Sequence, residues 1–194
     1  MTNDMGELLL YSWLRHEKEC QLVQTNWKPS PLWRLGNEDE LKRLLKTAAE
    51  RFESEYGYDI QGKSTFRMFL SQGEIDVLGI SVSGDHNKIY AVESAFHIAG
   101  LNYGKGSPAD VIAVIKKSLR CAMCIKGYFD TFDGEIIFAT PKAGQTVHAG
   151  LNPCIADLNA LFAESKYSFK ARLITNDDYN EQVLQPTLLA SKRV

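Results

Sequence analysis

The chain has little of what marks a specialised class. Cysteine is sparse, with Cys20, Cys121, Cys124 and Cys154 the only four among 194 residues. They are scattered, which argues against a disulfide framework, and in a cytosolic protein they are expected to be reduced. Cys121-Ala122-Met123-Cys124 spells C-x-x-C, but it falls inside a helical pattern. A redox pair belongs at a helix N-terminus, where the dipole lowers a thiol pKa. No second close pair completes a zinc site, so these cysteines are expected in the core. Net charge is only -2. That excludes binding of nucleic acid by bulk charge but leaves a local basic face open. Long apolar runs are missing too. Near the N-terminus only Leu8-Leu9-Leu10 is continuous, preceded by acidic residues, and this is neither a secretory signal nor a membrane span. A cytosolic protein with no membrane partner is expected. Repeats, linkers and low-complexity tracts are absent.

What is present is an ordinary globular composition, 44% hydrophobic and 24% charged. The length suits one domain over residues 1–194, with a core from about residue 5 to about residue 176. Pro186 and the segment Ala190–Val194 read as a partly flexible tail.

Periodicity predicts a helix over 4–18, with Asp4 and Glu7 spaced as a capping box. Gln21–Trp27 alternates as a strand, and Lys28-Pro29-Ser30-Pro31 ends it. A second helix runs from about Glu38 to Tyr56 on the stripe Leu41, Leu44, Leu45, Ala48 and Phe52, with Gly57 as its C-cap. Three successive strands are predicted at 65–71, 74–82 and 88–97. A long helix then spans about Pro108 to Phe129, and Glu135–Thr140 is a buried apolar strand. A helix over Pro153–Ser165 and a strand over Lys170–Thr175 follow. The order α-β-α-β-β-β-α-β-α-β predicts an α/β fold, a central mixed sheet flanked by helices.

Two of these strands each carry one carboxylate within an apolar run: Asp76 in Ile75-Asp76-Val77, and Glu93 in Ala91-Val92-Glu93. Burying a lone carboxylate is costly, so it needs a partner or a metal. Brought together across a hairpin, the two would suit a hard divalent cation. The plainer alternative is a solvated or salt-bridged pair at a sheet edge.

The element order, with these two acids on adjacent strands, resembles the PD-(D/E)XK nuclease superfamily and its restriction-endonuclease-like fold. The resemblance covers roughly residues 5–140. It implies metal-assisted hydrolysis of phosphodiesters in DNA or RNA, with Mg2+ or Mn2+ held by Asp76 and Glu93 and joined by Glu7 from the first helix. The family places a lysine two residues after the second acid; here that residue is Ala95. Alternation puts His97 on the face of Glu93 if the strand runs that far, as a base or a metal ligand. Lys105 and Lys142 are further candidates. If nothing replaces the lysine, the expected role is that of an inactive nuclease-fold module binding nucleic acid or assembling with protein.

The loop from Phe96 to Gly106 is rich in glycine and offers His97, Asn102, Tyr103 and Lys105 to a phosphate or base. On the following helix Lys116, Lys117 and Arg120 cluster and could track a nucleic-acid backbone. Trp27-Lys28 and Trp33-Arg34 could form a stacking surface beside cations, with core packing the default for the tryptophans. A homodimer is allowed by the pattern but not required.

Overall fold

Strand-forming runs at five places in the chain assemble into one sheet. The computed structural model describes residues 2–192 apart from 84–85, 97–99, 102, 104–105 and 130–132. The elements are α1 (Thr2–His16), β1 (Leu22–Trp27), α2 (Glu38–Tyr56), α3 (Phe66–Ser71), β2 (Ile75–Ser83), β3 (His86–Ser94) and α4 (Ser107–Tyr128). They continue with β4 (Asp133–Thr140), α5 (Gln145–Glu164), β5 (Phe169–Thr175), α6 (Asp177–Tyr179), a π-helical turn (Asn180–Leu184) and α7 (Gln185–Ala190).

The strand order is β1-β2-β3-β4-β5. The first three strands run antiparallel as a meander, and β4 and β5 lie parallel to β3. This is a mixed sheet with helices on both faces, which the run of apolar residues in β4 requires. On one face Leu78, Ala91, Ile136 and Phe138 pack with Phe52 of α2, Leu119 of α4 and Leu158 of α5. On the other, Val77, Val92 and Ile137 meet Leu10, Trp13 and Leu14 of α1, with Tyr179 and Val183. Each fully buried side chain of this size contributes about 1.5–3 kcal/mol, so the sheet is held from both sides.

Helix α2 matches its prediction. Glu38, Asp39 and Glu40 fill its first turn, where the dipole favours anions. Gly57 ends it at φ 68°, its N–H donating to the Glu53 carbonyl while Tyr58 N–H donates to Phe52. That is an αL closure, C′ to C3, which needs a residue tolerant of positive φ.

Three predictions are corrected. Residues 66–71 are helix α3, not a strand: the Thr65 hydroxyl accepts from Met68 N–H, and Phe69 and Leu70 are buried side by side. A cap and a helical apolar pair prevail over the aromatic content. Strand β3 stops at Ser94 and not at residue 97. Helix α5 starts at Gln145, and Pro153 lies inside it. A proline there costs about 3 kcal/mol, and burial of Val147, Leu151, Cys154 and Leu158 on either side offsets it. The C-terminal segment is helical through Ala190, with Pro186 in the first turn of α7. Tyr179, Val183 and Thr187 are buried there and anchor the segment that follows β5. Among the described residues no helix is long and apolar enough to cross a membrane.

Candidate active site

Asp76 and Glu93 meet because of register. Val77 pairs with Val92 across β2 and β3, so one step further Asp76 stands opposite Glu93. Directly opposed residues of an antiparallel pair share a face. Here it is the face of Leu78 and Ala91, under α4. Both acids therefore lie beneath that helix, at the end of the sheet where β3 stops.

The side chain that descends on them is Lys117, from the middle of α4. Its ammonium lies 2.5 Å from Glu93 Oε2 and 3.9 Å from Asp76 Oδ2. Ser94 N–H donates to Asp76 Oδ2 at 2.7 Å. One turn along α4, the Cys121 thiol donates to Glu93 Oε1 at 3.2 Å. Lys117 and Cys121 are four apart and so share a helix face. Glu93 is 2% exposed, against 17% for the Asp76 side chain and 31% for that of Lys117. The cluster is sealed at Glu93 and opens toward Asp76 and the lysine.

Burial dominates the electrostatics. Desolvation pushes the Glu93 pKa up to about 7; Lys117 pulls it down and Asp76 pushes it up further. For Lys117, burial works against the ammonium, but Glu93 and then Asp76 outweigh it and hold its pKa above the ordinary value. The Cys121 thiol is pushed well up, first by burial and then by Glu93, so it is a donor and not a nucleophile.

Tyr103 lies at the surface beside the start of α4. Its backbone N–H donates to the carboxylate of Asp110 at 2.6 Å, and Asp110 is itself buried in the first turn of α4. Burial raises the phenol pKa, and Lys117, Glu93 and Asp76 all act on it, so the hydroxyl lies within the field of the cluster.

The other expected site residues are placed as follows. Glu7 accepts from Asn26 Nδ2 at 3.3 Å, and Asn26 sits on β1 between the pairs Thr25–Val77 and Trp27–Ile75, alongside Asp76. Glu7 does not join the pair in a larger ligand set: no group of three His, Cys, Asp or Glu is gathered among the described residues. Arg120 is engaged elsewhere, its guanidinium stacked 4.6 Å over the Phe69 ring and donating to Gln72 Oε1 at 2.6 Å. Burial lowers its pKa. Lys116 is half-buried and has no ion pair among the described residues. His97, Asn102 and Lys105 lie outside the described residues.

The sequence reading grouped Lys117 with Lys116 and Arg120. A signal for its separate role was present. Asp110, Val114, Lys117, Cys121 and Cys124 recur at i, i+4, i+7 spacing, and all of them but Lys117 are buried. A lysine inside such a stripe requires a carboxylate opposite it.

The arrangement can hold a hard cation. Two carboxylates in register give oxygen donors, and magnesium is commonly bound by one or two carboxylates with water completing its shell. Oxygen donors of this kind would suit magnesium or manganese better than a soft metal. Comparison with family models, with curated proteins and with solved structures finds no match to this chain.

Proposed function

We propose that the protein is a metal-dependent phosphodiesterase acting on DNA or RNA, a nuclease of restriction-endonuclease-like architecture. What carries the reading is the meeting of Asp76, Glu93 and Lys117 at one end of β2 and β3. The meander β1-β2-β3 followed by a helical crossover to parallel β4 supports it as well. Lys117, reaching in from α4, supplies the cation that Ala95 cannot.

Magnesium or manganese at this site would polarise the phosphate and lower the pKa of a bound water. Asp76 and Glu93 would hold it, with Asp76 oriented by Ser94 N–H and Glu93 by the Cys121 thiol. With a cation bound, Lys117 would share Glu93 with it. Its ammonium would orient the attacking water or balance charge on the phosphate oxygens. The Tyr103 phenol offers a further donor at the mouth.

The test is cleavage of labelled single- and double-stranded DNA and RNA with magnesium or manganese, beside Asp76→Ala and Lys117→Ala. Cleavage by the parent and loss of about 100-fold or more in each variant is expected. A parent that neither cleaves nor binds manganese removes the reading. One observation favours the second reading, an inactive nuclease-fold module: both Glu93 oxygens already have protein donors. Nucleic acid bound with a steep salt dependence but never cut is its signature.

A further inference from the structure

A wide groove lies away from the acid–lysine cluster, and none of the residues lining it belongs to that cluster. It is open, about 860 Å³, and runs between the segment following β1 and helix α3. Its walls combine aromatic rings (Trp33, Phe66, Tyr128) with three cations (Lys28, Arg34, Arg67).

The wall is built, not loose. Trp33 is 51% exposed, yet its ring is held 6.2 Å from Trp27 and 5.9 Å from Tyr128. Trp33 N–H donates to the Ser30 carbonyl, and Gly36 N–H to the Gly127 carbonyl of α4 at 2.9 Å. Pro29 and Pro31 stiffen the strap between these anchors. Half of a large apolar ring thus faces water in a fixed orientation, which is unfavourable unless something covers it. The charge beside it has one sign in excess. Glu38 is the only carboxylate among the lining residues. It pairs with Arg67 at 3.7 Å, and Lys28 pairs with Glu74 at 3.0 Å. Arg34 is exposed and has no ion pair among the described residues.

We propose that this groove binds a single-stranded segment of nucleic acid, with a base stacked on Trp33 and phosphates held by Arg34 and Arg67. Rings that accept any base face, set beside cations that track a backbone, are what single-strand recognition requires. The choice of a nucleic acid over a peptide follows from the excess of cations and rests on the phosphodiesterase reading of the neighbouring site. The two places are compatible with one strand. Tyr128 lies eleven residues beyond Lys117 on α4, about 16 Å along the axis. That is roughly five nucleotides at the ~3.4 Å spacing of a stacked strand. Glu74, which holds Lys28 at the rim, is two residues before Asp76. The groove would thus hold the strand flanking the bond to be cut.

Binding of a labelled oligothymidylate of about a dozen nucleotides, read by fluorescence anisotropy in EDTA, tests this. Without metal an inactive protein still reports on the groove, so its failure is distinct from failure of the cleavage reading. Trp33→Ala is expected to weaken binding roughly tenfold or more, the scale of one lost stack, while Trp33→Phe retains most of it. Arg34→Ala with Arg67→Ala is expected to lower the slope of log affinity against log salt by about 1.4. The proposal is overturned if the parent shows no binding at low salt, or if affinity is unchanged in Trp33→Ala and the double arginine variant. Preference for duplex over single strand, or displacement of nothing but a proline-rich peptide from Trp33, also overturns it.

Discussion

The ammonium of Lys117 lies 2.5 Å from Glu93 Oε2, and Glu93 is 2% exposed. A buried carboxylate and the cation that neutralises it thus come from different elements, strand β3 and helix α4. Removing one partner of such a pair leaves an uncompensated charge, which costs about 3 kcal/mol. Lys117→Met is therefore expected to destabilise the protein by about that amount at pH 8 in urea unfolding. The loss should shrink toward pH 5, where the stranded Glu93 takes up a proton. A pH-independent loss would mean that packing of the lysine stem, not its charge, is what matters.

Metal affinity should follow the Glu93 proton. Burial raises its pKa from 4.5 to about 7. Between those values the folded protein holds a proton that the unfolded chain has released. Its contribution to stability is full below 4.5 and is lost as pH rises through about 7. A cation must displace the same proton, so manganese affinity should rise with pH and level off above about 7, falling on the order of tenfold per unit below it. Calorimetric titration from pH 5.5 to pH 8.5 measures this. A flat profile would place the cation away from Glu93.

Arg120 should behave as a structural residue. It stacks on Phe69 and donates to Gln72, tying α4 to α3 and its end. Arg120→Ala is expected to cost about 1–2 kcal/mol of stability. The slope of nucleic-acid affinity against salt should not change. A lowered slope would return Arg120 to the phosphate-binding role that its spacing suggested.

Gly73 sits where α4 presses on the approach to β2. A Cβ there would meet Cys124 Sγ at 2.6 Å and the Leu70 carbonyl oxygen at 2.9 Å. The second is backbone and yields little. Gly73→Ala should destabilise by about 1–3 kcal/mol. It should also lower activity more than an equally destabilising change remote from the site, because Asp76 is three residues on. Thermal unfolding and cleavage rates on the same preparations compare the two effects.

Local sequence determined a good deal of this protein. The acidic first turn and Gly57 define α2, and the apolar run Ile136–Thr140 defines a buried strand. The alternation around Asp76 and Glu93 sets both acids into adjacent strands. Each of these features depends on propensity or periodicity within a few residues, which the chain carries with it. The tertiary structure decided the rest. Residues 66–71 contain as much strand-forming as helix-forming character, and burial of Phe69 and Leu70 selected helix. Pro153 signals a helix start, and packing on both sides carried α5 through it. Lys116 and Lys117 are neighbours of identical chemistry. Which one meets the acids depends on the rotation of α4 over the sheet, and that is set by the contacts of Val114, Leu119 and Cys124 with distant elements. Such contacts join residues far apart in the chain, so no local pattern encodes them, and the catalytic candidate emerged only when helix and hairpin were docked.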